Sequence, residues 1–135
     1  MKSPPIRIAG LALIRAGAVL LVRKRGTARF MLPGGKYEGR EGPLQCLRRE
    51  LAEELGVDTA ALRPRRVGRF EAPAANEPRR TVASAVYRAA WLDADTPEPL
   101  PEIEAVRWQP LDTDSEDLAP LLRLHVLAAL RRTSG

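Results

Sequence analysis

The feature that most constrains the fold of this chain is the segment at residues 43–55 (PLQCLRRELAEEL), whose pattern is helical throughout. Pro43 suits the first turn of a helix, because the N–H that it lacks would be unbonded there, and Gly56 suits the C-terminal stop. Leucines recur at spacings of three and four residues, which places them in one apolar stripe. They are Leu44, Leu47, Leu51 and Leu55. The rest of the chain must therefore supply a core for one face of this helix.

The remaining sequence predicts strands on both sides of this helix and a second helix near the end. Short apolar runs predict strands at residues 6–15 and 18–24, joined as a hairpin at Gly17. Residues 29–32 form a short extended piece, and further strands are predicted at residues 62–72, 80–92 and 104–109. An amphipathic helix is predicted from about 113 to 132, with Leu118, Leu121, Leu122, Val126, Leu127 and Leu130 on its apolar side. These elements predict an α/β layered architecture, and the length predicts a single domain over residues 1–135.

The first helix carries three carboxylates on its polar side. Glu50 and Glu54 lie one turn apart with Glu53 beside them, so we expect all three to point away from the leucine stripe. Carboxylates at these spacings repel one another, and Arg49, itself held by Glu41, can neutralise only part of their charge. The remaining charge suits Mg²⁺, which takes oxygen ligands and commonly binds phosphate oxygens as well. The alternative is a solvated helix face with surface ion pairs.

The spacing of the charged residues favours the metal site over the solvated face. Gly35 is followed after five residues by Glu41, and after seven more by the string RELAEELGV at residues 49–57. These residues match every specified position of the Nudix box, G-x5-E-x7-R-E-U-x-E-E-x-G-U, in which U is apolar. With the preceding PGGK-x-E and the later EIEAVRWQPL, the sequence resembles a Nudix hydrolase of the MutT type. The resemblance implies an α/β/α sandwich with a central mixed β-sheet, and Mg²⁺-dependent hydrolysis of a nucleoside diphosphate linked to another group X.

The resemblance also implies which residues bind the metal. Glu50 and Glu54 would be the main ligands and Glu53 a further one, while the carbonyl of Gly34 or Gly35 would supply a backbone oxygen. Mn²⁺ would be able to replace Mg²⁺.

Three other residues receive roles through the resemblance. Arg49 would orient Glu50, and Glu41 would anchor Arg49. Glu102 stands where some members of the family place a further glutamate that reaches the metals or acts as base, although it could equally be an ordinary loop residue. We expect the general base to be Glu50, with Glu102 as the second choice.

Several basic residues are candidate contacts for the substrate phosphates. They are Arg23, in a run with Lys24 and Arg25, Lys36 in the PGGK-x-E entry, and Arg79 beside Arg80. Exposed surface charge is the alternative for each of them. Cys46 is expected to pack as a small residue, since nothing around it supplies a base, and His125 to be an ordinary residue of the second helix. Trp91 and Trp108 are expected in the core.

Composition limits the class of protein. The single cysteine excludes an internal disulfide, and arginines interrupt the apolar N-terminal stretch, so we expect a cytoplasmic chain without a membrane segment. The formal charge of +5 permits RNA binding, but no basic run is longer than three residues, which argues against a nucleic-acid partner. A homodimer is a candidate assembly, because dimers are common among the proteins that the chain resembles.

The expected substrate is a small-molecule nucleotide, namely a nucleoside triphosphate, with oxidised triphosphates among the candidates. ADP-ribose or another nucleotide sugar is the alternative, because Pro73 lies near where ADP-ribose-cleaving relatives often have a proline. An alternative of another class is a module that senses nucleotides or binds RNA without catalysis.

Overall fold

The computed structural model describes residues 3–133, in which a mixed six-stranded sheet is covered by a helix on each face. The strands are β1 (Ile6–Arg15), β2 (Ala18–Lys24), β3 (Gly34–Lys36), β4 (Arg65–Pro73), β5 (Thr81–Ala90) and β6 (Ile103–Pro110). Their order is β4-β5-β1-β2-β6, with β3 also paired to β1. Strands β1 and β5 run parallel and the other pairs antiparallel. The predicted α/β/α sandwich with a mixed sheet is thus confirmed.

Strands β1 and β2 are apolar at most positions because both of their faces are buried. Leu11 and Leu13 of β1 pack toward the first helix, together with Leu20 and Val22 of β2. The residues between them pack on the opposite face, toward the C-terminal helix. Lys24 continues the alternation of Leu20 and Val22 and therefore faces the first helix.

The first helix, α1 (Pro43–Leu55), has the predicted bounds. Gly56 ends it in the left-handed conformation, with φ 64°. Leu47, Leu51 and Leu55 are buried, but Leu44 is 50% exposed, so the prediction that it faces the core was wrong. Leu44 lies in the first turn, beyond the part of the helix that packs on the sheet.

The C-terminal helix begins at residue 120 and not near 113 as predicted. The segment before it is held in an extended form beside β2 and β6, because Phe30 exchanges backbone hydrogen bonds with Asp117 and Ala119, both of 2.8 Å. Pro120 disfavours a helical conformation at Ala119 and is itself well suited to a first helical turn. The helix continues through a π-helical stretch, Leu122–Val126, into α2 (Leu127–Thr133).

The apolar residues predicted for this helix are all buried, including Leu118, which lies just before it. A short 3-10 helix, Thr59–Leu62, replaces the start of the strand predicted at residues 62–72. Within residues 3–133, no helix is long and apolar enough to cross a membrane.

Candidate active site

The turn at Gly34 and Gly35 brings backbone directly against α1. Gly34 has φ 146°, and a Cβ added there would lie 2.0 Å from the carbonyl oxygen of Ala9. A Cβ on Gly35 would lie 2.7 Å from the carboxyl carbon of Glu50. Only glycine therefore allows β3 to pair with β1 while its backbone touches the Glu50 carboxylate.

The guanidinium of Arg49 joins the loop before α1 to the carboxylates of the helix. Its Nε and Nη2 donate to the two oxygens of Glu41 at 2.8 and 2.9 Å, and Nη1 donates to Glu50 Oε1 at 2.8 Å. Nη2 also donates to the carbonyl of Lys36 at 3.0 Å, and Nη1 lies 3.5 Å from Glu53. Arg49 thus contacts both Glu50 and Glu41, the two residues that the sequence paired with it.

These hydrogen bonds keep both Arg49 and Glu41 in their charged forms. The hydrogen bond to Glu41 is the main cause that raises the pKa of Arg49 above its usual range. The same contact lowers the pKa of Glu41 to about 2, helped by the N–H of Glu38, which donates to Glu41 Oε1 at 2.8 Å. Both groups therefore stay charged throughout the neutral pH range, and Glu50 keeps a fixed cationic neighbour.

Glu54 is fully buried, so the prediction that it points away from the leucine stripe was wrong. It follows Leu47 by seven residues, which at 3.6 residues per turn places the two side chains about 20° apart on the helix. The N–H of Gly34 donates to Glu54 Oε1 at 3.1 Å, and Lys24 Nζ lies 3.3 Å from Oε2. Burial raises the pKa of Glu54 to about 7, although Lys24 and the Gly34 N–H favour its charged form.

Carboxylates and backbone oxygens here are suited to a divalent cation but are not assembled into a finished site. Within residues 3–133, no three His, Cys, Asp or Glu side chains converge closely enough to hold a metal. Arg49 lies against Glu50 and Glu53, and Lys24 lies against Glu54. Mg²⁺ and Mn²⁺ prefer oxygen ligands. Glu54 Oε2 is a buried oxygen without a hydrogen bond, so it fits such a ligand. The residues that could hold a cation are Gly34, Gly35, Glu50, Glu53, Glu54 and Glu102.

A cavity of about 380 Å³ adjoins the glycine turn. Part of its wall is charged and contains Lys24, Lys36, Arg49, Glu50, Glu53 and Glu102. Another part is apolar and contains Ile6, Ile8, Leu32, Val82, Leu121 and Leu122. A volume of this size lies within the range of small-molecule sites. The cavity wall therefore offers a ligand both charged and apolar contacts.

The structure places only some of the predicted phosphate contacts at this cavity. Lys24 and Lys36 line it, and Lys36 Nζ lies 3.1 Å from Glu77. Arg23 and Arg79 are absent from its wall, so the prediction that they face the substrate finds no support. Neighbouring residues of a strand face opposite sides of the sheet, so Arg23 points away from α1 while Lys24 points toward it. Arg23 donates instead to the carbonyl of Thr27 at 2.9 Å. Arg79 is exposed in the loop between β4 and β5.

Four residues that the motif does not specify, one within it and three outside it, lie away from the cavity. Cys46 is buried with Sγ 3.4 Å from the carbonyl oxygen of Gly35, and burial raises the pKa of its thiol to about 11. His125 is exposed and stacks on Phe70 with ring centroids 6.2 Å apart. Trp91 and Trp108 are only partly buried, against the core on the α1 side. None of these four side chains lines the cavity.

Two features of the cavity were missed from the sequence. The position of Lys24 on the α1 side of the sheet could have been found from the alternation of β2, since Lys24 follows Leu20 and Val22 on one face, but its contact with Glu54 joins two separate elements and could not. The apolar wall could not, because Ile8 lies next to Ser84 of β5 only through the parallel pairing of distant strands. Ser84 is itself buried and lines the cavity.

The chain is similar to known proteins in both sequence and fold. The model of the NUDIX domain matches residues 4–126. The chain belongs to the Nudix family. Its solved relatives are MutT/Nudix hydrolases, and the chain is therefore a Nudix hydrolase, of the family that acts on nucleoside diphosphates linked to a group X. No curated protein shows significant similarity to the chain.

Solved structures resemble this Nudix hydrolase over nearly its whole length. A MutT Nudix hydrolase from Burkholderia pseudomallei is 26% identical, with 97% of this chain and 99% of that one covered and a TM-score of 0.74. A MutT protein from Methanosarcina mazei is 21% identical, with 98% and 94% covered and a TM-score of 0.75. A bifunctional NMN adenylyltransferase/ADP ribose pyrophosphatase from Francisella tularensis, complexed with AMP and a Mn ion, is 19% identical, with 98% and 42% covered and a TM-score of 0.69.

Proposed function

We propose that the chain is a pyrophosphohydrolase of nucleoside triphosphates, oxidised triphosphates included, that depends on Mg²⁺ and accepts Mn²⁺. The observation that carries the proposal is that Glu50, Glu53 and Glu102 share one cavity wall with the Gly34–Gly35 turn and two lysines. When bound, a divalent cation supplies positive charge that offsets the charge on the phosphate oxygens. The apolar part of the wall offers a place for the base.

One group of residues would bind the cation and orient its ligands. Glu50, Glu53, Glu54 and the carbonyl of Gly34 or Gly35 would hold the cation. Arg49 would keep the Glu50 carboxylate in one orientation, because its other bonds fix it to Glu41 and to the Lys36 carbonyl.

The remaining groups would act on the water and the substrate. Glu50 would take the proton of the water that attacks phosphorus, with Glu102 as the second candidate. Lys36 would contact a phosphate from the cavity wall. Attack by water on phosphorus forms no covalent link to the protein, and the leaving phosphate oxygen departs with its electron pair.

A nucleotide sugar such as ADP-ribose is the second candidate substrate. Pro73 lines the cavity at the end of β4, which is the observation in its favour. The two candidates share the same bond cleavage and differ in the group beyond the diphosphate.

A substrate screen tests the proposal. Purified protein with Mg²⁺ is incubated with canonical and oxidised nucleoside triphosphates, ADP-ribose and nucleotide sugars, and the products are separated by ion-exchange chromatography. We expect turnover of triphosphates to the monophosphate and pyrophosphate, lost in Glu53→Gln and retained in Glu104→Gln. Glu104 is a matched control because it pairs with Arg25 and does not line the cavity. Turnover of nucleotide sugars alone would favour the second candidate, and no turnover at all would contradict both.

A further inference from the structure

Lys24 occupies an unusual position at the edge of the candidate metal site. It is the last residue of β2, its side chain is 33% exposed, and it lines the cavity. Its ammonium donates to the carbonyl oxygen of Gly34 at 3.0 Å and lies 3.3 Å from Glu54 Oε2. The Glu54 side chain is 1% exposed, so no solvent reaches it to share the contact. The Lys24 ammonium thus lies between the carbonyl oxygen of Gly34 and the buried carboxylate oxygen of Glu54.

These two oxygens are also among those that the proposed function gives to the divalent cation. A cation bound to oxygen ligands lies about 2.0–2.6 Å from each of them. An ammonium about 3 Å from the same two oxygens would lie within about 6 Å of such a cation, and two positive charges at such a distance repel each other. Lys24 and the metal therefore compete for Gly34 O and Glu54 Oε2.

We propose that Lys24 is a positioning residue that competes with the divalent cation for Gly34 O and Glu54, and that the displaced ammonium then contacts the diphosphate of the substrate. The inference rests on the proposed function. Metal binding and substrate binding would be coupled through this one side chain, because the metal frees the group that the phosphate needs.

The surroundings of Lys24 support a movement toward the substrate. Lysine is a point charge on a flexible four-carbon stem, unlike Arg49, whose planar head is tied to three partners. Of the carboxylates on the cavity wall, Glu38, Glu50 and Glu53 already lie against Arg49, and Glu77 lies against Lys36. Among the described residues of the wall, Glu102 is the remaining carboxylate, and a diphosphate carries more negative charge than it does. Phosphate oxygens are therefore the stronger partner for the displaced ammonium.

Metal binding without nucleotide tests the competition. Mn²⁺ affinity is measured by electron paramagnetic resonance for the wild type, Lys24→Met and Lys36→Met. Lys36 is a matched control, since it is a lysine of the same cavity but contacts Glu77 instead of Glu54. We expect Lys24→Met to bind Mn²⁺ roughly five- to tenfold more tightly than the wild type, and Lys36→Met to change less than about twofold. Equal affinities for the wild type and Lys24→Met would overturn the proposal.

A second measurement follows the side chain itself and does not depend on Lys24→Met. The chain has three lysines, Lys2, Lys24 and Lys36, so ¹³C-labelled lysine gives three side-chain signals, and Lys2→Arg and Lys36→Met identify the Lys24 signal as the third. Mg²⁺ should move the Lys24 signal more than that of Lys36, and pyrophosphate added at saturating Mg²⁺ should move it again. A Lys24 signal that responds to neither would overturn the proposal even if Lys24→Met did not fold. A wild type that binds Mn²⁺ and hydrolyses nucleotides while Lys24 stays unmoved refutes this inference alone, whereas a wild type that binds no Mn²⁺ refutes the proposed function.

Discussion

The buried carboxyl of Glu54 makes the stability of the chain depend on pH in a window where few other groups titrate. Its pKa rises from the ordinary 4.5 to about 7 because it is buried. The folded chain therefore holds a proton that the unfolded chain releases between these two values. The contribution of Glu54 to stability is fully present below pH 4.5 and is lost as the pH rises toward 7. At about 1.4 kcal/mol for each pH unit, the loss reaches roughly 3 kcal/mol.

Urea denaturation in the presence of a chelator, followed by circular dichroism, measures this loss. The free energy of unfolding of the wild type should fall across about pH 4.5 to 8, while Glu54→Gln, which is neutral at every pH, should lack this component. Glu53→Gln is the control, because Glu53 has a side chain that is 45% exposed and should retain the wild-type profile. Glu41 acts below this window, since its pKa of about 2 gives stability that is lost as the pH falls from 4.5 through 2.

Parallel pH profiles for the wild type and Glu54→Gln would refute the reasoning. Saturating Mg²⁺ provides a further arm of the experiment. A cation bound by Glu54 favours the charged carboxylate, so the fall in stability with pH should shrink when Mg²⁺ is present. The same series thus reports the titration of Glu54 and its contact with a metal separately.

Two further variants test the geometry around Glu50. Gly35→Ala places a Cβ 2.7 Å from the Glu50 carboxyl carbon and should lower kcat roughly 10- to 100-fold, whereas Gly42→Ala, whose nearest neighbour would lie at 3.8 Å, should stay within about twofold. Equal rates for the two alanine variants would show that Glu50 tolerates displacement. Arg49→Lys removes the paired hydrogen bonds to Glu41 and should lower kcat about 10- to 100-fold with KM little changed, while Arg48→Lys, next to it and exposed, should behave as the wild type in steady-state assays. A large rise in KM with kcat preserved would assign Arg49 to substrate binding.

Local signals account for the parts of the fold that were predicted correctly. Pro43 and Gly56 define the ends of α1 through backbone chemistry that acts within one turn, and the observed bounds agree with the prediction. The hairpin of β1 and β2 is also local, and its strands have the predicted bounds.

Features that depend on distant partners were not predicted. Strand β3 contains two glycines and was expected to be a loop, since only its pairing with β1 makes it a strand. The C-terminal helix begins late because Phe30, far away in sequence, holds the segment before Pro120. Both features require the assembled sheet.

In the candidate site as well, contacts that are local in sequence were predicted and contacts between distant elements were not. The spacing of the motif was enough to name Arg49, Glu41 and Glu50, whose mutual contacts involve short separations along the chain. The burial of Glu54 was missed, although Glu54 lies only about 20° from Leu47 around the helix, which puts both on the face toward the sheet. Its contact with Lys24 joins β2 to α1, which periodicity within one element cannot reveal. The roles assigned to these residues remain predictions.

The most direct test of the central claim is hydrolysis in H₂¹⁸O, with the products analysed by mass spectrometry. With Mg²⁺ and the best substrate of the screen, one ¹⁸O atom should enter a phosphate of one product in each turnover, and a chelator should stop the reaction. Glu50→Gln should slow the incorporation strongly while the far carboxylate variant Glu104→Gln should not. Turnover that persists without a divalent cation, or that leaves both phosphate products unlabelled, would contradict water attack on phosphorus at this site.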